Sequence, residues 1–97
     1  MKLEILQIAR QEFIAAQEYY EMEQAGLGAR FESEIRRTLL RIQRYPRVWS
    51  VERKEIRRCF VHKFPFKIIY SIYNETIIVL AFAHLHRKPE YWVDRAK

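Results

Sequence analysis

The stretch Phe66-Lys67-Ile68-Ile69-Tyr70-Ser71-Ile72-Tyr73-Asn74-Glu75-Thr76-Ile77-Ile78-Val79-Leu80-Ala81-Phe82-Ala83-His84 decides the fold. Phe66, Ile68, Tyr70 and Ile72 alternate with Lys67, Ile69 and Ser71, the period of a strand with one face packed and the other more open. Asn74-Glu75 is a turn, after which Ile77 through Phe82 is apolar on both faces and suits an interior strand. Upstream, Ile56 to Phe64 reads as a further strand, parted from Phe66 by Phe64-Pro65. Short links make the strands Ile56–Phe64, Phe66–Tyr73 and Thr76–His84 an antiparallel meander.

Before Pro46 the period is helical. Ala9, Phe13, Ala16 and Tyr20, at spacings of four, three and four, form one stripe, with Gln11, Glu18 and Glu21 pointing outward. Gly26-Leu27-Gly28 stops that helix, and a second runs from about Ala29 to Arg44 on the stripe Phe31, Ile35, Leu39 and Ile42. The two form an antiparallel hairpin whose single apolar faces need a flat cover. Lys2 to Gln7 reads as a first strand. The expectation is one α+β domain over residues 1–97, with a four-stranded sheet in the order second, third, fourth, first and the helices on one face. Phe13, Tyr20, Phe31, Ile35, Leu39, Ile68, Tyr70 and Leu80 should form its core.

Composition narrows the function. The chain has 97 residues, 49% of them hydrophobic, enough for one core. No apolar run approaches the ~20 residues of a membrane span, and the acid in Met1-Lys2-Leu3-Glu4 does not fit a signal peptide, so a cytoplasmic protein is expected. Cys59, the one cysteine, excludes an internal disulfide and a zinc site built on several thiolates; it reads as a small apolar strand residue. No metal or cofactor is expected. Met1 to Glu34 holds three bases (Lys2, Arg10, Arg30) against seven acids (Glu4, Glu12, Glu18, Glu21, Glu23, Glu32, Glu34), a net of −4; with +6 overall, the rest carries +10. That excess points to an anionic partner, nucleic acid or an acidic protein segment.

Three pieces resemble the RelE/ParE toxin superfamily: Tyr19-Tyr20 followed by Gly26-Leu27-Gly28-Ala29-Arg30-Phe31; Lys63-Phe64-Pro65-Phe66-Lys67-Ile68-Ile69-Tyr70; and the tail Ala83-His84-Leu85-His86-Arg87-Lys88-Pro89-Glu90-Tyr91-Trp92. The resemblance implies a toxin of a type II toxin–antitoxin module, neutralised by a cognate antitoxin. Relatives divide into RelE-like toxins, which cut messenger RNA on the ribosome, and ParE-like plasmid stabilisation proteins, which arrest growth by inhibiting DNA gyrase and are not enzymes. The tail looks more ParE-like, and Ser71 stands where many relatives place a base.

Each branch assigns residues differently. RNA cleavage needs a base, an acid and cations for phosphate charge. His84 or Glu55 suits the first, Arg58, Arg87 and Lys63 the last, and Tyr91 can stack on a base; the RelE-like catalytic set is His84, Arg58, Arg87 and Tyr91. On the ParE-like branch Arg87, Lys88, Tyr91 and Trp92 contact the target, while Arg57, Arg58, Lys63 and Lys67 form a basic surface for phosphate or antitoxin. A plainer account fits each group: the run Arg53, Lys54, Arg57, Arg58 as a solvated strand edge, His84 held by a local hydrogen bond, Tyr91 and Trp92 pinning the tail. His62 and His86 have weaker claims. A third reading is a non-toxic basic nucleic-acid-binding module using Arg36, Arg37, Arg41 and Arg44 on the second helix.

Overall fold

The structure, a computed structural model, describes residues 1–96; Lys97, the last residue of the expected domain, lies outside the described residues. In chain order it contains β1 (Lys2–Ile5), α1 (Gln7–Glu23), α2 (Leu27–Arg44), β2 (Val51–Arg53), β3 (Ile56–Phe60), β4 (Phe66–Tyr73), β5 (Thr76–His84) and a 3-10 turn at Val93–Ala96. The sheet has five strands, not the four expected, in the order β1-β5-β4-β3-β2. The added strand is β2, a three-residue segment that ends at Arg53, the first residue of what reads as a charge run. It pairs with β3 only at Ile56 and Arg57, so β3 is no longer the edge at that end. The meander β3-β4-β5 is antiparallel, and β1 joins β5 in parallel through Leu3↔Ile77 and Ile5↔Val79. A parallel pair needs a long crossover, which the helix hairpin supplies.

The hairpin turn differs from the sequence expectation. Gly26-Leu27-Gly28 starts α2 rather than only stopping α1, and the side chain of Glu21, expected to point outward into solvent, turns back to it. Its carboxylate accepts hydrogen bonds from the N–H of Gly26 at 3.0 Å and of Gly28 at 3.0 Å, satisfying donors that the first turn of a helix leaves open. Gly26 sits at φ +89, where L side chains are strained. Gly28 is needed for a different reason: a Cβ there would lie 2.9 Å from the backbone oxygen of Gln17, so glycine lets the helices close.

Both helices pack on one face of the sheet. There Phe31, Ile35, Ile68, Tyr70, Ile77, Val79 and Phe82 are buried together, with Phe13, Tyr20 and Leu39 against them. Aromatic rings run through this layer, Phe31 lying 5.1 Å from Phe66 and Tyr20 4.9 Å from Phe64. Tyr70 donates its hydroxyl hydrogen to the carbonyl of Pro46 at 2.7 Å, and burial pushes its pKa up to about 12. Leu80, expected in this core, belongs to a second one on the opposite face with Ile56, Ile69, Ala81, Ala83 and Trp92. The cause lies in β5. Alternation turns Leu80 away from Val79, and the pairing then jumps from Tyr70↔Val79 to Ile69↔Ala81, a bulge that returns Phe82 to the helix side. The face expected to be more open is thus partly covered by the C-terminal tail.

Candidate functional site

The tail is fastened by one residue the sequence analysis did not single out. Glu12, on α1, presents a carboxylate that accepts from the Phe82 N–H at 3.1 Å, the Tyr91 hydroxyl at 2.7 Å, Arg95 at 3.0 Å and Arg87 at 3.3 Å. Its side chain and that of Arg95 are each 13% exposed, so this pair is shielded from most solvent screening. Arg95 also donates to the carbonyl of Leu80 at 3.0 Å. Arg87 stacks over Tyr91, its guanidinium 3.6 Å from the ring centroid. Burial, then the hydrogen bond to Glu12 and its charge, hold the Tyr91 hydroxyl well above the ordinary tyrosine range, with Arg87 and Arg95 pulling the other way. In sequence the only trace of Glu12 is that it borders the apolar stripe of α1 beside Phe13.

The tail residues expected to act together are therefore neighbours with unequal access. Arg87 and Lys88 are exposed and Tyr91 is half-buried. Trp92, expected among the target contacts, is 1% exposed and fills the second core; in this arrangement it anchors the tail and presents no side-chain surface. His84 stacks edge-on to Phe66, and its Nδ1 accepts the N–H of His86 at 3.0 Å, which leaves Nε2 to carry the proton of the neutral ring. It lines a groove with Tyr19 and Tyr20. Glu55, the other expected base, lies in the β2–β3 turn beside a different groove of ≈ 640 Å³ that it shares with Ser71 and Arg95. The structure does not bring the two together.

The expected basic surface also divides. Arg58 and Lys67 share Glu52, at 3.2 and 2.7 Å, while Arg57 donates to the carbonyl of Trp49 at 2.6 Å. Lys63 is exposed in the β3–β4 turn at φ 70, and His62 and His86 are exposed. Cys59 is a buried free thiol, its pKa raised by burial against the opposing effect of Arg41. On α2, Arg37, Arg41 and Arg44 share one groove, whereas Arg36 pairs with Glu32 at 2.9 Å and lines a separate cleft with Arg10. Among the described residues no group of three or more His, Cys, Asp or Glu side chains is placed to hold a metal ion, and no helix is long and apolar enough to cross a membrane.

The architecture defines a class: an α+β domain in which a helix hairpin crosses over from a parallel edge strand and covers one face of an antiparallel meander. The solved structures contain this fold in a chain from the "Chromosomal ParDE TA system from P. aeruginosa", which superposes with a TM-score of 0.66 over 89% of this chain and 97% of that chain, at 12% sequence identity. The fold is RelE/ParE-like, as the sequence resemblance implies. No family model matches the chain, and no curated protein matches its sequence.

Proposed function

We propose that this chain is the toxin of a type II toxin–antitoxin module, that it inhibits DNA gyrase through a contact surface on its tail, and that a cognate antitoxin neutralises it. The shared fold supports the toxin–antitoxin part. The single observation that carries the choice of target is that three of the four residues of the RelE-like catalytic set are engaged elsewhere. Nδ1 of His84 accepts a backbone N–H, the proton of Tyr91 is held by Glu12, and Arg58 is bound to Glu52. A nuclease needs a base, an acid and cations converging on one phosphate. A gyrase inhibitor needs a shaped surface, and Arg87 and Lys88 are exposed on a tail whose backbone Glu12 and Trp92 hold in place.

The test uses purified protein on two substrates. Gyrase supercoiling should be inhibited and ribosome-bound messenger RNA left intact, and co-expression with the product of the neighbouring reading frame should restore growth. Arg87→Ala or His84→Ala alone should reduce toxicity without removing it. Cutting of the RNA at the ribosomal A site, lost on one substitution at Arg58, Arg87 or His84, would replace this reading with the RelE-like one. Tight DNA binding by a chain that is benign when expressed would favour the nucleic-acid-binding module. Removing Pro89 through Lys97 is not a clean test of target contact, because it takes Trp92 out of the second core and leaves Glu12 without two of its donors.

A further inference from the structure

The strongest unassigned feature lies away from the tail, at the C-terminal end of α2. Arg37, Leu40, Arg41 and Arg44, with Tyr45 and Trp49 from the loop toward β2, line a groove of ≈ 490 Å³. Across Arg41 and Trp49 it continues into a hollow of ≈ 390 Å³ bounded by Arg58 and Phe60. No acidic residue lines either. Arg37 is neutralised by Glu34 and Arg58 by Glu52. Arg41 donates to the neutral hydroxyl of Thr38 at 3.1 Å, and among the described residues Arg44 has no ion pair.

Cations in the last turn of a helix are favourable to its dipole, which accounts for Arg41 and Arg44 as charges. It does not account for the apolar groups around them. Leu40 is 64% exposed, Tyr45 55% and Phe60 50%, and these lining residues make a concentration of large apolar side chains that marks an interaction surface when it is contiguous and rimmed by charge.

The sheet adds a third kind of group. β3 is paired with β2 only as far as Ile56 and Arg57, and the last bond on that side runs from the Arg58 N–H to the carbonyl of Ser50. Val61 N–H bonds across to Phe66 on the other side, so alternation turns the N–H and C=O of Phe60 outward beyond the end of β2. A nucleic acid would use the guanidinium groups and the rings, but has no use for an exposed leucine or a strand edge. A polypeptide uses all of these.

We propose that this surface binds a polypeptide segment of a partner protein in which acidic and aliphatic residues alternate, its acids on Arg41 and Arg44, its aliphatic side chains on Leu40 and Tyr45, and its backbone extended along Phe60. This rests on the reading that a partner protein neutralises the chain, and adds the surface and the chemistry of the segment.

The experiment titrates the isotopically labelled full chain with a short synthetic peptide alternating Glu and Leu, and separately with the Lys/Leu counterpart and a single-stranded oligouridylate. Amide signals of Leu40, Arg44, Tyr45 and Phe60 should move with the Glu/Leu peptide only. Arg44→Glu should weaken that binding about tenfold or more, and Leu40→Ser should weaken it also, with the melting temperature of both variants close to the parent's. Shifts confined to the tail, or affinity unchanged in Arg44→Glu, would overturn the proposal. Tighter binding of oligouridylate at the same residues would assign the surface to nucleic acid, and concentration-dependent shifts there without any peptide would assign it to a second copy of the chain. The gyrase assay is run without peptide. A groove that binds in a protein inert toward gyrase leaves the surface standing and removes the target; gyrase inhibition by a protein whose groove stays empty does the reverse.

Discussion

Two arginine clusters stand on this small domain, and they differ in what lies between the charges. In the tail, Arg87 and Arg95 converge with Tyr91 on the single carboxylate of Glu12. At the end of α2, Arg41 and Arg44 converge on no acid among the described residues and line a groove with the exposed side chains of Leu40 and Tyr45. The first cluster is an internal fastening that sets the position of a surface; the second is a surface with charge to spare. The +10 excess of the chain after Glu34 therefore overstates the charge free to attract a partner, because Glu12, an acid of the opposite half, is used up on the tail. Net charge read along a sequence gives the sign of a partner but not the place where it binds.

The largest effect is expected from Trp92→Ala. That side chain is enclosed by Ile56, Ile69, Leu80, Ala81 and Ala83, and truncating a buried tryptophan costs about 3–5 kcal/mol. Denaturant unfolding should show the loss. A change within experimental error would mean that the tail is not part of the core, and the contrast between a fastened cluster and an open one would fail at its foundation.

Glu12→Ala should come next, at about 2–3 kcal/mol. It leaves Arg95 with its charge largely shielded and, among the described residues, the carbonyl of Leu80 as its remaining hydrogen-bond acceptor, and removes the acceptor of Tyr91. Amide exchange should rise in the tail and at Phe82, whose N–H also bonds Glu12, while the α2 end stays as protected as before. Glu12→Gln, which keeps an acceptor, should lose less.

Much of the fold can be read in the chain because its signals are local. The stripes of α1 and α2, the alternation in β4 and the turn at Asn74-Glu75 each lie within a few residues of one another, and the elements appear where those patterns place them. What escapes is non-local or too short to show a period. β2 has three residues and charged neighbours. The side of the sheet that Leu80 faces depends on pairing across to β4. Glu12 meets Tyr91 and Arg95 across most of the chain, and nothing near Glu12 announces the meeting. The candidate site suffers most for this reason: Arg87, Tyr91 and Trp92 are visible as residue types, but their partners decide that one is exposed, one is held and one is buried.

Alkaline pH separates the clusters by a smaller effect. Tyr91 and Tyr70 both keep their protons in the fold beyond the ordinary tyrosine range, Tyr70 up to about 12. In the unfolded chain each ionises near pH ~10. Their contribution to stability is therefore complete below that value and declines as pH rises above it, since the unfolded state then binds fewer protons. Each such tyrosine steepens the decline by up to about 1.4 kcal/mol per pH unit. Unfolding midpoints at about pH 9 and about pH 11 should show the fall, and Tyr91→Phe should make it shallower. An equal slope in that variant would mean that Tyr91 ionises freely and is not held by Glu12.

The finest discrimination is between Arg87→Ala and Arg44→Ala, one arginine from each cluster. Arg87 is half exposed, so solvent screens its ion pair with Glu12, and most of its worth is the stack on Tyr91, about 0.5–1 kcal/mol. Arg44 has no partner among the described residues, and its loss should change stability by no more than about 0.5 kcal/mol, the usual range for a surface position. Removing one of several like charges also relieves repulsion from Arg41 and Arg37, which offsets part of the lost interaction with the end of α2. Thermal unfolding at low and at high salt resolves the two cases. The Arg87 deficit should persist at high salt because stacking does not depend on screening alone, whereas any change in Arg44→Ala should shrink with salt. A larger deficit at Arg44 than at Arg87 would reverse the assignment, making the α2 end the fastened cluster and the tail the open one.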